Sequence, residues 1–262
     1  MERYHFHNVF EIYFTNVGGV KYFVDGGVYQ VEKNDLFVFN NADLHRIVVP
    51  SGLIYDRYIA VFSPDYIRGM NTDNTNLLEC FVDRKADFCH RISLTTEQAG
   101  EFLSLLRAAG RYESSESYGF DICRKIMLAE ILIFVNRLYR SAALAPSFHA
   151  GSEYAQIKPV LDHINKNLTS ALTLEEIANR FFISKYHLCK LFKKATGFTV
   201  NEYIISRRIL RACDLLRKNL PVSAVCELAG FRNDCYFITT FKKMVGVTPK
   251  QYAIKENRIE GE

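Results

Sequence analysis

The 262-residue chain lacks two features that would place it in a membrane or outside the cell. It has no apolar stretch long enough for a transmembrane helix, and its first residues contain no basic segment followed by an apolar run. Its seven cysteines are scattered, odd in number and without a C-x-x-C pair, which argues against a disulfide framework and against a zinc site. We therefore expect reduced thiols in a cytoplasmic protein.

Common catalytic signatures are also missing. The sequence has no G-x-S-x-G nucleophile elbow, no Walker loop, no dinucleotide-binding glycine pattern and no Cys/His nucleophile arrangement. We predict that the chain is not an enzyme, that it contains no catalytic residues and that it needs no cofactor.

Positive charge is concentrated in the C-terminal part of the chain. Residues 154–262 carry a net charge of +8 and the remainder carries −4, so the overall value of +4 conceals an asymmetry. A basic segment of this kind favours a polyanionic partner. The charge count is weak evidence when taken alone, because many basic domains bind no polyanion.

Residues 1–92 have the sequence pattern of β-structure. Residues 9–14 and 21–29 are rich in aromatic and β-branched side chains, and residues 36–39 form a short apolar run that suits a buried strand. Segments containing Asn, Asp and Gly separate these runs and mark turns. Several short strands with close turns predict a sandwich or a barrel.

A helical segment follows, and we place it at residues 93–145. Phe102, Leu105 and Leu106 recur at helical spacing, and the apolar residues of 126–138 cover more than one face of a second helix. We expect that helix to be buried on two sides, either against its own domain or against a partner.

The C-terminal part, residues 154–262, is helical in pattern throughout. Residues 146–153 contain Pro and Gly and interrupt the periodicity, so we predict a linker there. Gly197 and Gly246 stand where helices should stop. The predicted fold class is α+β, with an N-terminal β-barrel and its helices followed by an all-α C-terminal domain.

A repeat in the C-terminal part carries the functional argument. Residues 192–199, FKKATGFT, are echoed 49 residues later by residues 241–248, FKKMVGVT. Each copy follows a short helical pattern and a turn, so each unit has the order helix, tight turn, helix and glycine stop. This is the helix-turn-helix plan, in which the second helix enters the DNA major groove and presents its first residues to base edges.

The spacing within each unit separates core side chains from exposed ones. Leu188 with Phe192, and Phe237 with Phe241, are i,i+4 pairs that should face the small core of each unit. Each second helix begins after a Ser or Asn that can cap it, and lysines in its later turns suit phosphates. The side chains predicted to contact DNA are Lys185, Tyr186, His187, Cys189, Lys190, Lys193, Lys194, Asn233, Asp234, Cys235, Ile238, Thr239, Lys242 and Lys243.

The C-terminal part of the chain resembles the AraC/XylS family of bacterial transcription regulators. The resemblance rests on LEEIA at 174–178, SKYHLCKLFKKATG at 184–197, RRILRACDLL at 207–216, AGF at 229–231, YF at 236–237, FK at 241–242 and GVTPKQY at 246–252. It implies binding to paired major-groove sites on double-stranded DNA, a homodimer formed through helices in residues 96–141, association with the nucleoid and RNA polymerase as a further partner.

Three positions depart from the family pattern. Thr239 stands where the family often has Arg, Cys235 stands where it often has Ser, and Cys226 replaces a common Ala. We expect the Cys226 change to be neutral, whereas the Thr239 change removes a base or phosphate contact. The second unit should therefore read less of the DNA sequence.

The N-terminal region is similar to a cupin. His5, His7 and Glu11 are followed 34 residues later by His45, and residues two apart on a strand share a face, so these side chains can converge. The segment 34–45 resembles the second cupin strand pair, with an Asn in place of its usual Gly.

Three roles are open for this cluster: a metal site, part of a small-molecule pocket, and a purely structural role. Metal-binding cupins place a metal on such residues, whereas AraC-type regulators usually keep the pattern without metal as part of a small-molecule pocket. We predict the effector pocket, with no metal. Its predicted residues are His5, His7, Glu11, Tyr13, Tyr22 and His45, with Phe6, Phe37 and Phe39 as further candidates for its lining.

The sequence thus predicts a ligand-responsive, DNA-binding transcription regulator. The alternatives are a metal-dependent cupin enzyme fused to a DNA-binding domain, and a regulator that needs no ligand.

Overall fold

The computed structural model of the protein describes six stretches of the chain. They are residues 9–24, 27–41, 43–84, 88–112, 117–142 and 152–259. Strands and two short helices come first, and longer helices make up the rest of the described chain.

The strands form two antiparallel sheets. They are β1 (Phe10–Thr15), β2 (Val20–Val24), β3 (Gly27–Val31), β4 (Asp35–Phe39), β5 (His45–Val48), β6 (Arg57–Phe62) and β7 (Arg91–Ser93). One sheet has the strand order β6-β1-β4-β7 and the other has the order β3-β2-β5. The predicted β-rich region is confirmed, but the two sheets do not join into a closed barrel within the described residues.

The neighbouring strands β1 and β4 of the four-stranded sheet are buried on both faces. Along β1, Phe10, Ile12 and Phe14 pack into a core shared with the following helices, whereas Tyr13 packs into the core between the two sheets. This alternation follows from the two-residue period of a strand. The inter-sheet core is strongly aromatic, because Tyr13, Tyr22, Tyr29, Phe37 and Phe39 all lie in it.

Two short helices interrupt the region expected to be purely β. They are α1 (Pro64–Arg68) and α2 (Glu79–Val82), and each is too short to show a 3.6-residue period in the sequence. Asn34, which takes the place of the cupin Gly, has φ of 67°, a left-handed conformation that Asn adopts more readily than most residues.

The helices α3 (Thr96–Gly110) and α4 (Phe120–Ala142) cover the outer face of the four-stranded sheet. Leu132 and Val135 of α4 are completely buried there, whereas Ile122 and Ile126 on the same helix are exposed. The sequence predicts that α4 is buried on two sides, and within a single chain one of its sides is buried.

The remaining described elements are helices. They are α5 (Ser152–Lys166), α6 (Leu174–Arg180), α7 (Lys185–Thr196), α8 (Val200–Arg217), α9 (Val222–Leu228), α10 (Asp234–Val245) and α11 (Pro249–Ile259). The helix α5 begins at Ser152, within the segment 146–153 that is predicted as a linker. No helix among the described residues combines the length and apolar character that crossing a bilayer requires.

Candidate nucleic-acid interface and effector site

The first helix-turn-helix unit consists of α6, a turn and α7. Thr173 and Glu176 form a capping box at the start of α6, and Ser184 caps α7 by accepting a hydrogen bond from the backbone N–H of His187 at 3.1 Å. Leu188 and Phe192 are fully buried, so the predicted core pair faces inward. The local sequence therefore fixes which face of α7 remains outside.

The outer face of α7 carries the side chains that the sequence predicts at the DNA. Tyr186 is 77% exposed, and Cys189 and Lys190 are also exposed. Lys193 and Lys194 lie exposed in the last turn. Lys185 lies 3.7 Å from Glu175 in an exposed ion pair, which is weak enough to give way to a phosphate.

The second unit repeats this construction with α9, a turn and α10. The Asn233 side chain caps α10 by accepting from the backbone N–H of Tyr236 at 2.8 Å, and Phe237 and Phe241 are fully buried. The first-turn residues of α10 and Ile238, Thr239, Lys242 and Lys243 are exposed. Gly197 and Gly246 end the two recognition helices in left-handed conformations, as their positions in the repeat predict.

An arginine that the sequence reading missed ties the helix between the units to the segment before the first unit. Arg208 on α8 donates from Nε to the carbonyl oxygen of Leu168 at 2.8 Å and from an η nitrogen to the carbonyl oxygen of Ser170 at 2.9 Å. No periodicity marks such a residue, because its partners are backbone atoms about 40 positions away. These two hydrogen bonds hold α8 against the segment that leads into α6.

Within the N-terminal domain, Glu11 and His45 come together as the spacing predicts. The distance from His45 Nε2 to Glu11 Oε2 is 3.5 Å, and the His45 ring stacks on Phe39 with 4.0 Å between centroids. Burial by itself lowers the pKa of His45, but the hydrogen bond and the charge of Glu11 outweigh it and raise that pKa above its ordinary value. His5, His7 and Phe6 lie outside the described residues.

A second polar cluster lies beside this pair and was not predicted. Arg84 donates to both carboxylate oxygens of Asp43 at 2.7 and 2.6 Å, and His90 Nε2 lies 3.4 Å from Asp43 Oδ1. Despite burial, the contact with His90 and the charge of Arg84 lower the pKa of Asp43. Among the described residues, no group of three or more His, Cys, Asp or Glu side chains is arranged to hold a metal ion.

The aromatic core between the sheets contains two tyrosine hydroxyls without a hydrogen-bond partner among the described residues. They belong to Tyr13 and Tyr55, whose rings stack with 6.4 Å between centroids. Burial raises the pKa of Tyr13, so its hydroxyl stays protonated and remains a donor. Unpaired buried hydroxyls are uncommon in folded proteins and call for a physical explanation.

Two domain profiles of known protein families match the chain. Residues 1–116 match the profile of the AraC-like ligand binding domain, and residues 177–254 match a helix-turn-helix domain. The multiple antibiotic resistance protein MarA of Escherichia coli is 36% identical over 107 residues, which cover 40% of this chain and 83% of MarA.

Two further relatives extend the comparison. The transcriptional activator RhaR of an Enterobacter strain is 24% identical over 249 residues, which cover 95% of this chain and 86% of RhaR. The bifunctional transcriptional activator and DNA repair enzyme AdaA of Bacillus subtilis is 38% identical over 94 residues, which cover 36% of this chain and 44% of AdaA.

The fold, the paired recognition helices and these matches define a DNA-binding transcription regulator with an N-terminal ligand-binding domain. The chain belongs to the AraC family.

Proposed function

We propose that this protein is a transcription activator that reads paired DNA sites with α7 and α10 and responds to a small molecule bound between its two N-terminal sheets. The observation that carries the proposal is the pair of helix-turn-helix units, each with an exposed, lysine-bearing recognition helix. The relative RhaR, which the chain matches over almost its whole length, is a transcriptional activator.

The length of α8, the helix between the two units, suits binding to two successive major grooves. Its 18 residues span about 27 Å, which approaches the separation of about 34 Å between successive major grooves on one face of DNA. We assign the base contacts to Tyr186, Cys189 and Lys190 on α7 and the phosphate contacts to the lysines of the last turns. On α10, Asp234, Cys235, Ile238 and Thr239 take the base-facing positions.

Footprinting of the full chain on the DNA upstream of its own gene tests the proposal. Two protected major-groove segments about 10 base pairs apart are expected, because each recognition helix occupies one groove. Protection of a single segment would contradict a role for α10 in reading DNA. No protection of any segment would contradict the proposal as a whole.

The effector proposal is supported by the unpaired hydroxyls of Tyr13 and Tyr55 and by the adjacent Glu11–His45 pair. A ligand with an apolar body and hydrogen-bonding groups would satisfy these groups while it packs against Tyr22 and Phe39. His5 and His7 remain predicted members of the site. A compound that raises the melting temperature of the wild-type chain should lose much of that effect in Tyr13→Phe, since this variant keeps the ring but not the hydroxyl.

The same proposal includes the protein's partners, its location in the cell and the bounds of its domains. A homodimer through α4 and contact with RNA polymerase at the promoter complete the activator role, and the protein works on the nucleoid in the cytoplasm without catalysing a reaction. The proposed segments are 1–92 for the effector domain, 93–145 for the dimerisation helices and 154–262 for DNA binding.

A further inference from the structure

The β3–β2–β5 sheet has two faces with different neighbours. Tyr22 and Ile47 pack into the aromatic core between the sheets. Phe23 and Arg46 lie opposite each other in the strand register and are the next residues along their strands, so they occupy the other face. This outer face lies towards the C-terminal helices.

Three side chains at this outer face contact the first helix-turn-helix unit. Arg46 donates from an η nitrogen to the carbonyl oxygen of Gly197 at 2.6 Å. The ring of Phe23 lies against the same glycine, since a Cβ placed there would be 3.0 Å from two ring carbons. Leu44, the residue before β5, is buried in the core of that unit together with Phe198.

The second unit shows what the same helix end looks like without such a contact. Gly246 occupies the place of Gly197 in the repeat, yet it is exposed and no described residue lies within 4 Å of a Cβ placed there. Thr196 is fully buried, whereas its counterpart Val245 is only partly buried. The helix-turn-helix unit therefore forms its glycine stop without help, and the contact at Gly197 is an addition to the first unit.

The contact leaves the predicted DNA-facing side of α7 open. Tyr186, Cys189 and Lys190 are all exposed while Gly197 is buried. The sheet thus holds the C-terminal end of the recognition helix and does not cover the end that approaches bases. A contact of this kind sets the orientation of α7 and leaves its predicted DNA-facing side accessible.

The strand that makes the contact also carries a predicted effector residue. His45 lies between Leu44 and Arg46, and its ring points to the opposite face, where it stacks on Phe39 and lies 3.5 Å from Glu11. A ligand that moves the β5 backbone at His45 therefore also moves the two neighbours that contact the first unit. A ligand shifts the equilibrium between two positions of β5 only by the difference between its affinities for them.

We propose that the outer face of this sheet is a docking surface for the end of α7, and that β5 couples the Glu11–His45 pair to the orientation of the first recognition helix. The inference rests on the proposed function, because it takes the inter-sheet core as the effector site and α7 as the DNA reader. By linkage, DNA on α7 also alters the affinity of the inter-sheet core for its ligand.

Amide hydrogen exchange in the full chain tests the docking surface without knowledge of the ligand. In Arg46→Met the amides of residues 195–199 should exchange about tenfold faster, the factor expected for loss of one charged hydrogen bond. Residues 244–248 should not change, and they serve as an internal control. Arg107→Met, which alters an exposed arginine of the same domain, should change neither segment.

The coupling is tested by Glu11→Gln, which lies on the far side of β5 from Gly197. This variant should speed exchange at residues 195–199 in the same direction as Arg46→Met, with circular dichroism used to verify that the sheet is intact. If Arg46→Met leaves these amides unchanged, the docking surface is absent in solution. If Arg46→Met speeds exchange and a folded Glu11→Gln does not, the surface exists but β5 does not couple it to the inter-sheet core.

DNA titration of the same variants separates this inference from the proposed function. Exchange unchanged in both variants, with normal DNA binding by the wild-type chain, refutes the docking surface alone. Failure of the wild-type chain to bind its own upstream DNA refutes the proposed function, whatever the exchange rates are.

Discussion

Gly230 occupies a crowded turn in the second helix-turn-helix unit. Its φ is 92°, and a Cβ at this position would overlap the carbonyl oxygen of Leu168 and approach Arg208 Nε to 2.9 Å. The same carbonyl accepts the hydrogen bond that Arg208 donates from α8. We predict that Gly230→Ala lowers the free energy of unfolding by about 2–4 kcal/mol, through backbone strain and overpacking together.

The chain contains a matched control for this substitution. Gly246 has φ of 88°, but no described residue lies near a Cβ placed there. Gly246→Ala should therefore cost about 1 kcal/mol from the backbone conformation alone. Urea unfolding followed by circular dichroism measures both, and equal losses in the two variants would show that the contact with Leu168 is not tight in solution.

His45 gives the stability of the N-terminal domain a pH dependence of defined sign. Its pKa is raised in the folded protein by Glu11, against the opposing effect of burial. Its contribution is therefore complete below the unfolded pKa of about 6.5 and is lost as the pH rises through the folded value. We predict that His45→Gln lowers the melting temperature more at pH 6 than at pH 8.5.

A second histidine provides a control of opposite sign. Burial and the nearby charge of Arg180 lower the pKa of His163, so its protonation at low pH destabilises the folded state. The difference between wild type and His163→Gln should shift in the direction opposite to that of His45→Gln as the pH falls. A difference for His45→Gln that stays constant with pH would contradict the pairing with Glu11.

The lysines of α7 divide by their position along the helix. Lys190 lies on the exposed side that we assign to the bases, and Lys193 lies in the last turn. We predict that Lys190→Ala costs about 1–3 kcal/mol at its own base pair and relaxes specificity there. Lys193→Ala should weaken all DNA sequences equally and reduce the salt slope by about one unit. Titrations on native and singly altered sites distinguish the two, and the opposite pattern would show that their roles are exchanged.

Among the elements, α4 has an apolar face that the described residues leave uncovered. Ile122, Ile126 and Ile133 are exposed on it, with Ile126 at 43%. We predict that Ile126→Lys shifts the protein from dimer to monomer, as measured by sedimentation, because a charge at the centre of an apolar interface is costly to bury. Ile54→Lys is the matched control, since Ile54 is 89% exposed in a loop of the same domain. A wild-type chain that sediments as a monomer would refute the α4 interface.

Elements with local signals were predictable from the sequence. The capping box at Thr95, the cap at Ser184 and the stop at Gly197 all act within four residues, so the sequence contains the whole interaction. The helix α8 begins at Val200, directly after Thr199, which forms a capping box with Glu202. The helices α1 and α2 have only five and four residues, and so they leave no period to detect.

At the scale of the whole molecule, contacts between distant residues could not be predicted. The Arg46–Gly197 hydrogen bond joins residues 151 positions apart, and the Asp43–Arg84 pair joins residues 41 positions apart. Nothing in the local pattern distinguishes Arg46 or Arg84 from other arginines. The Glu11–His45 pair was predictable because its spacing resembles a known family pattern, which supplies long-range information that composition does not contain.

A DNA titration tests most directly whether the two repeated units read DNA sequence. The full chain is titrated against the DNA upstream of its own gene and against a scrambled duplex of the same composition, at several salt concentrations. We predict binding to the native duplex at least about 1,000-fold tighter, with affinity for both duplexes falling as salt rises. Equal affinity for the two duplexes that disappears at moderate salt would contradict sequence reading by α7 and α10.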